Sequence, residues 1–126
     1  MKIASIKAIP LYIPIHIDIA GADKDTAMSV CLVRVDTDCG RTGWGFTAIT
    51  EEEVVAEIVN RIVAPNLVGE EVMARELIWH KLYWLLSPRG QTGYASHAIA
   101  AVDVAIWDLI GQKLEQPLWK LLGGSR

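Results

Sequence analysis

Strand-type patterning fills the first third of the chain. Residues 2–13 are rich in isoleucine and predict a first strand. Pro14 follows them and cannot donate to a strand ladder, so it marks either an edge of the sheet or the exit of the strand. Residues 28–36 alternate more clearly, which predicts a second strand with Cys31, Val33 and Val35 on one face. A first loop, of about Ile15–Asp25, would join the two strands.

A cluster of turn-forming residues follows the second strand. Residues 36–40 read DTDCG, which reverses the chain, and residues 42–47 then form the return strand. Three consecutive antiparallel strands make a meander, and a meander needs helices on one face to be stable. The next part of the chain is therefore expected to supply those helices.

Helical patterning begins at Glu51. Thr50 and Glu53 have the spacing of a capping box, and Pro65 is expected to end this first helix. Its apolar positions follow helical spacing at Val54, Val55, Ile58, Val59 and Ile62. A second helix is predicted from Val72 to Leu86, with Arg75 facing outward and a buried stripe of Ala74, Leu77, Ile78, Leu82 and Leu85.

The third predicted helix, Tyr94 to Lys113, is apolar almost all round and should pack closely through its alanines. Asp103 and Asp108 are its exceptions. Five positions apart, they lie on different faces, so pairing with an arginine or a backbone amide is favoured over a pair of site carboxylates. A short helix from Pro117 to Gly123-Gly124 ends the pattern, and strands followed by helices predict an α+β domain.

Composition narrows the class of protein. The 126 residues fit one domain, and a hydrophobic content of 52% supplies a core. The formal net charge of −3, with no cationic run, argues against nucleic acid as a partner. No apolar stretch reaches about eighteen residues and the N-terminus lacks a signal-peptide pattern, so we expect a cytoplasmic chain that does not bind membranes.

Catalytic motifs do not emerge from the residues alone. The sequence has no nucleophile elbow, phosphate-binding loop or zinc-protease motif. For His80 and His97, a packing or surface role is favoured over catalysis. Cys31 and Cys39 are eight residues apart on an extended strand and its turn, beyond disulfide reach, so both are expected to be free thiols.

Two segments carry a family resemblance: the run Gly40-Arg-Thr-Gly-Trp-Gly-Phe46, and residues 98–124 with their DVAIWD and PLWKLLGG runs. Together they resemble the N-terminal capping domain of the enolase superfamily, in the mandelate racemase and muconate lactonizing enzyme branch. The resemblance implies that residues 1–126 are this domain, with a three-stranded meander followed by a bundle of three main helices and a short C-terminal helix. It also implies a C-terminal barrel domain that would begin past Arg126, which would make this chain a fragment.

The family's chemistry is abstraction of a proton next to a substrate carboxylate. A Lys or His base acts, and Mg²⁺ held by barrel carboxylates stabilises the enediolate. The resemblance therefore implies no catalytic residue and no metal ligand on this chain, which alone would be inactive. Its implied partners are the barrel domain, a small carboxylate substrate and further copies in a homo-oligomer.

Substrate selection in such enzymes belongs to two capping loops, here Ile15–Asp25 and Phe46–Thr50. In the first loop, His16, Asp18 and Lys24 could bind hydroxyl or carboxylate groups, and a solvated, mobile loop is an equal alternative. In the second, Phe46 stands where many relatives carry Glu, which would make that wall of the pocket apolar, and Thr47 follows it as a further candidate substrate-binding residue.

The charged, hydroxyl-compatible first loop suits a polyol monoacid or diacid, so a sugar-acid dehydratase is the first expectation for the parent enzyme. A racemase, epimerase or cycloisomerase of the same superfamily is the alternative within the enzymes. A stand-alone association module is the alternative outside them. Relatives bury Trp107 and Trp119 at or near the junction of cap and barrel, whereas a free module would expose both.

Overall fold

Three antiparallel strands in the order β1-β2-β3 form one sheet. The structure, a computed structural model, describes residues 1–19, 21–48, 51–88 and 92–124. The strands are β1 (Ile3–Ile19), β2 (Ala22–Thr37) and β3 (Thr42–Ala48), and both pairings are antiparallel. The meander predicted from the alternation is confirmed.

The first two strands are longer than predicted. Pairing of β1 with β2 continues without interruption from Ser5 to Ile19, so residues 15–19 and 22–25 are strand, and the expectation of a loop there is wrong. Only β1 and β2 extend past the pair Val30 and Ala48, where β3 ends. The two strands therefore project as a two-stranded arm, defined as residues 12–19 and 22–29.

Of the two alternatives at Pro14, the edge is confirmed and the strand exit is wrong, because β1 continues through Pro14 with its nitrogen on the open edge of the sheet. Asn60 shows which way that backbone points: its side chain accepts a hydrogen bond from the N–H of Ala8 at 2.8 Å and donates to the carbonyl of Ala8 at 3.0 Å. The backbone groups of Ala8 thus face away from β2. Pro10 and Pro14 follow at even spacing, so their nitrogens lie on the same edge and no ladder bond is lost.

The first helical stretch runs through the proline that was expected to end it. It comprises α1 (Glu52–Ile58), a π-helical segment (Val59–Val63) and α2 (Ala64–Leu67), which has Pro65 in its first turn. A widened π turn tolerates a residue without an N–H donor. Of the predicted apolar positions in this stretch, Val55 and Val59 are buried, whereas Val54 and Ile62 are 43% and 40% exposed. The predicted cap at Thr50 lies outside the described residues.

The remaining helices are α3 (Arg75–Leu85), α4 (Gly93–Leu114) and α5 (Leu118–Leu121). Burial on α3 is narrower than predicted, because Ile78 and Leu82 are buried whereas Leu77 is 62% exposed. Leu85, also predicted buried, is exposed as well. No described helix is long and apolar enough to cross a membrane.

The core lies where α4 packs directly on β3. A Cβ atom added at Gly45 would lie 2.1 Å from the carbonyl oxygen of Ala101 and 2.6 Å from the nitrogen of Ala105. Gly43 makes a similar approach, to the carbonyl oxygen of Ala105 at 2.4 Å. Strand and helix backbones are therefore in contact, and the predicted close packing of α4 through its alanines is confirmed.

Both acidic residues of α4 have structural partners, as predicted. Asp103 pairs with Arg75, whose Nε lies 2.9 Å from Oδ1 and whose guanidinium covers the ring of Trp107 at 4.9 Å. Arg75 is consequently half-buried, and its predicted outward orientation is wrong. Asp108 accepts a hydrogen bond at 2.9 Å from the backbone N–H of Trp44 on the edge strand β3. The two carboxylates thus attach α4 to α3 and to the sheet.

Candidate functional site

A cleft of about 710 Å³ opens at the end of the sheet from which the arm projects. Three parts of the fold border it: the arm, the residue that precedes α1, and the first turn of α4. The lining residues are Ile15, Ile17, Thr26, Ala27, Met28, Ser29, Glu51, Tyr94 and His97. One wall is therefore mainly aliphatic and the facing wall is polar.

The polar wall is held to the sheet by a hydrogen bond between two side chains. Nδ1 of His97, in the first turns of α4, lies 2.8 Å from Oγ1 of Thr47 near the end of β3. His97 is half-buried and also lines the cleft. The structure thus places the predicted site residue Thr47 beside this histidine, for which a packing or surface role was favoured from the sequence. The sequence offered one signal for His97 as a site residue: it is a polar residue four positions after Gly93, at the start of a buried helix.

The charged residues predicted for the first loop occupy the outer part of the arm. Nδ1 of His16 lies 2.9 Å from Oδ1 of Asp25, the residue directly opposite it in the ladder, and both side chains are exposed. Asp18 is exposed as well, and the side chain of Lys24 lies outside the described residues. On β1, Ile15 and Ile17 line the cleft. Substrate binding by His16, Asp18 or Lys24 stays a prediction.

The second predicted loop begins as strand. Phe46 and Thr47 belong to β3, and Phe46 is 61% exposed. Residues 49 and 50 lie outside the described residues. A large exposed aromatic ring beside the arm is available to a ligand or to another domain, and the role of Phe46 as an apolar wall stays a prediction.

The part of the chain that the structure describes contains no metal-binding cluster. Burial, with a smaller contribution from Glu52, raises the pKa of the Cys31 thiol to about 11. Cys31 and Cys39 are both free, as predicted. Among the described residues, no group of three or more His, Cys, Asp and Glu side chains could hold a metal ion. The described residues thus offer no ligand set for Mg²⁺, which the family resemblance assigns to the barrel domain.

A comparison with protein families agrees with this fold. The family model described as the mandelate racemase / muconate lactonizing enzyme N-terminal domain matches residues 3–123. The chain belongs to this family.

Individual members of the mandelate racemase / muconate lactonizing enzyme family resemble the chain over most of its length. It is 39% identical over 94 residues to a 3,6-anhydro-alpha-L-galactonate cycloisomerase of Streptomyces coelicolor, covering 73% of this chain and 26% of the relative. It is 33% identical to an arabinonate dehydratase of Saccharolobus solfataricus, covering 79% of this chain and 27% of the relative. The chain thus spans about a quarter of the length of these curated relatives.

A solved structure shares the fold. A racemase from Streptomyces coelicolor A3(2) with bound magnesium superposes with a TM-score of 0.86 at 32% identity, covering 98% of this chain and 36% of that one. The predicted α+β fold, a three-stranded antiparallel sheet followed by helices, is that of the N-terminal domain of this enzyme family.

Proposed function

We propose that this chain is the capping and substrate-selecting domain of a magnesium-dependent enzyme that removes a proton next to a substrate carboxylate, and that the parent enzyme is a sugar-acid dehydratase. One observation carries the proposal: the family match over residues 3–123 is accompanied by relatives named for sugar acids, one of them an arabinonate dehydratase. The chain itself would supply no catalytic base and no metal ligand.

The arm and the cleft support the capping role. The arm extends past β3, and the cleft opens between it and α4, where a substrate held by a second domain could be covered. A cover of this kind excludes water, which strengthens electrostatic interactions at the reacting atoms. The aliphatic side chains of Ile15 and Ile17 would exclude water on one side, and the polar wall at His97 would orient the substrate on the other.

The parent enzyme's metal would be held by the barrel domain, since the described residues here contain no suitable cluster. When bound, magnesium stabilises the negative charge that develops as the proton leaves. The exposed apolar residues after α4 would give that second domain a surface to cover. Trp119 is 55% exposed and Leu122 is 64% exposed, and in the parent enzyme the barrel would cover them.

A second candidate activity is cycloisomerisation of a sugar acid. The relative with 39% identity is named as a cycloisomerase, and the family also contains a racemase of the same fold. All three reactions begin with the same proton removal, so they share the need for a cap that selects the substrate and excludes water.

The test uses the full-length product of the gene that encodes this chain, incubated with Mg²⁺ and a panel of five- and six-carbon aldonates in D₂O. Proton NMR distinguishes loss of water from intramolecular cyclisation and from deuterium exchange alone. Formation of a 2-keto-3-deoxy acid would support the dehydratase, and cyclisation or exchange without loss of water would shift the assignment to the alternatives. Absence of exchange and product with every acid would refute the proposed function. The 126-residue chain alone serves as the control and is expected to be inactive.

A further inference from the structure

We infer that the outward side of α3 joins two copies of this chain, with the two helices antiparallel about a two-fold axis. The family resemblance implied further copies of the chain without indicating which surface joins them. The contact surface is here called the α3 stripe and consists of Met73, Leu77, His80 and Trp84. The inference does not depend on the reaction that the parent enzyme catalyses.

The α3 stripe is an apolar surface that the described fold leaves uncovered. Leu77 and Trp84 are 62% and 61% exposed, and with His80 they follow the i, i+3, i+7 spacing of one helix face. Met73 precedes α3, is 44% exposed and lines the same cavity as Leu77, so it extends this face. The helix thus has a second apolar side besides the one that packs on α4. A contiguous exposed apolar surface of this kind marks an interaction site.

The polar atoms of the α3 stripe have partners within the stripe. Nε1 of Trp84 donates a hydrogen bond to Nε2 of His80 at 3.2 Å, so the indole N–H can be buried without losing its partner. The Trp84 ring also meets the ring of Tyr83 edge-on, at 5.3 Å between centroids. These contacts hold the indole in place before association, which lowers the entropy cost of binding.

The order of residues in the α3 stripe is complementary to itself when reversed. In a two-fold contact, residue i lies on residue j and residue j on residue i. An axis that passes between positions 78 and 79 places Leu77 opposite His80 of the second copy. The same axis places Met73 opposite Trp84 of the second copy, and a thioether against an aromatic ring is a favourable contact. One register therefore matches the whole stripe.

The charged residues beside the stripe match in the same register. The axis places Glu76 opposite Lys81 of the second copy, and these side chains are 86% and 41% exposed. Each has one partner within the chain, Arg75 for Glu76 and Glu70 for Lys81. A carboxylate accepts at two oxygens and an ammonium group has three donors, so both groups can also bridge two copies. Salt bridges beside an apolar seam set partner choice and orientation in paired helices. This charge complementarity selects a second copy as the partner.

Sedimentation velocity of the full-length gene product, over a series of protein concentrations, tests the contact. Leu77→Ser interrupts the α3 stripe. Phe46→Ser is the matched control, because Phe46 is 61% exposed and lies on the opposite side of the sheet from α4, which Gly45 contacts. We expect Leu77→Ser to weaken association about thirtyfold or more, since the apolar contact is lost twice about the axis. Phe46→Ser should leave association unchanged.

A charge exchange tests the register. Glu76→Lys and Lys81→Glu should each weaken association about five- to thirtyfold, since like charges then meet twice across the axis. The double variant should recover most of the affinity. Within one chain, positions 76 and 81 are five apart and do not face each other, so recovery reports pairing between copies. Glu70→Gln removes the internal partner of Lys81 and should leave association unchanged.

Three results would overturn the inference: a monomeric wild type, unchanged association in Leu77→Ser, or a double variant that associates no better than the single ones. Loss of association in Phe46→Ser alone would also overturn it and would place the contact on the outer face of the sheet. Coverage of the α3 stripe by the barrel domain would give unchanged association with a lowered Tm in Leu77→Ser. The charge variants are exposed substitutions, so they decide the question even if Leu77→Ser fails to fold. Turnover of the aldonate panel is measured separately, and its outcome bears only on the proposed function.

Discussion

Substitution of Gly45 by alanine tests the closest approach in the molecule. The added Cβ would lie 2.1 Å from the carbonyl oxygen of Ala101 and 2.6 Å from the nitrogen of Ala105. Both are backbone atoms of α4, so no side-chain rotation relieves the overlap. The helix must move away from β3, and the bond from Trp44 to Asp108 and the packing of neighbouring alanines must move with it.

Overpacking a core costs typically about 1–3 kcal/mol, and a clash with backbone places Gly45→Ala at the upper end, at about 3 kcal/mol or more. For a domain of this size that corresponds to a fall in Tm of about 10 °C or more. Urea unfolding of the 126-residue chain, followed by far-UV circular dichroism, measures the free energy of unfolding directly.

Gly69→Ala is the control. Gly69 has a φ of +90° and nothing within 4 Å of an added Cβ, so alanine there adds backbone strain of about 1–2 kcal/mol without a clash. The reasoning is refuted if Gly45→Ala costs less than Gly69→Ala, because α4 would then be able to separate from β3 at little cost.

Two further predictions concern titrating groups. Desolvation raises the pKa of Asp36, but hydrogen bonds from Thr42, Arg34 and Ser5 outweigh it and lower the pKa below its ordinary value of 3.8. The ionised carboxylate therefore stabilises the fold above that pH, and this stabilisation is lost as the pH falls. The free energy of unfolding should therefore fall more steeply in acid for the wild type than for Asp36→Asn, and parallel urea-midpoint curves would contradict this. In the folded chain a thiol-specific disulfide reagent should modify the exposed Cys39, whose pKa is lowered by the Thr37 hydroxyl, and spare Cys31, whose pKa burial raises to about 11. Cys39→Ser should abolish the reaction until denaturant is added, and undiminished labelling of that variant would show that Cys31 is accessible.

Elements whose patterns were long and regular could be predicted from the sequence. The alternation in β2 and the nearly continuous apolar surface of α4 identified the meander and the central helix, and the isolated acids of α4 were correctly assigned structural partners. These predictions succeed because burial on one face leaves a periodic signal. The two glycines of β3 were noted in the sequence, but their contact with α4 depends on a distant segment.

The errors in the bounds of β1 and of the first helix come from prolines whose effect depends on three-dimensional context. Pro14 interrupts a strand only if its nitrogen faces a partner, and here it faces the open edge. Pro65 ends a helix only if the preceding turn is a regular α turn, and here that turn is π-helical. Sequence patterns report neither condition.

The candidate site was predicted in part. Thr47 was chosen, but its partner His97 is 50 residues away, and only the packing of α4 on β3 brings the two together. Within the arm, the charged residues were predicted as site residues because of their chemistry. The arm residues of β1 that line the cleft are instead Ile15 and Ile17, which alternate with them. Strand pairing decides which of the two alternating sets of side chains faces the cleft, and a segment predicted as a loop has no strand pairing.

Side chains alternate between the two faces of the arm, so the register of each strand determines which residues line the cleft. Successive side chains of a strand point to opposite faces, so a deletion of one residue from β1 before Ile15 would exchange the two faces. The aliphatic wall would be replaced by one bearing an imidazole and a carboxylate, while the fold of the sheet behind it stayed the same. Removal of two residues from each strand would shorten the arm by about 7 Å and keep the faces. Evolution within this architecture can therefore vary reach and polarity separately, by even or odd changes in length.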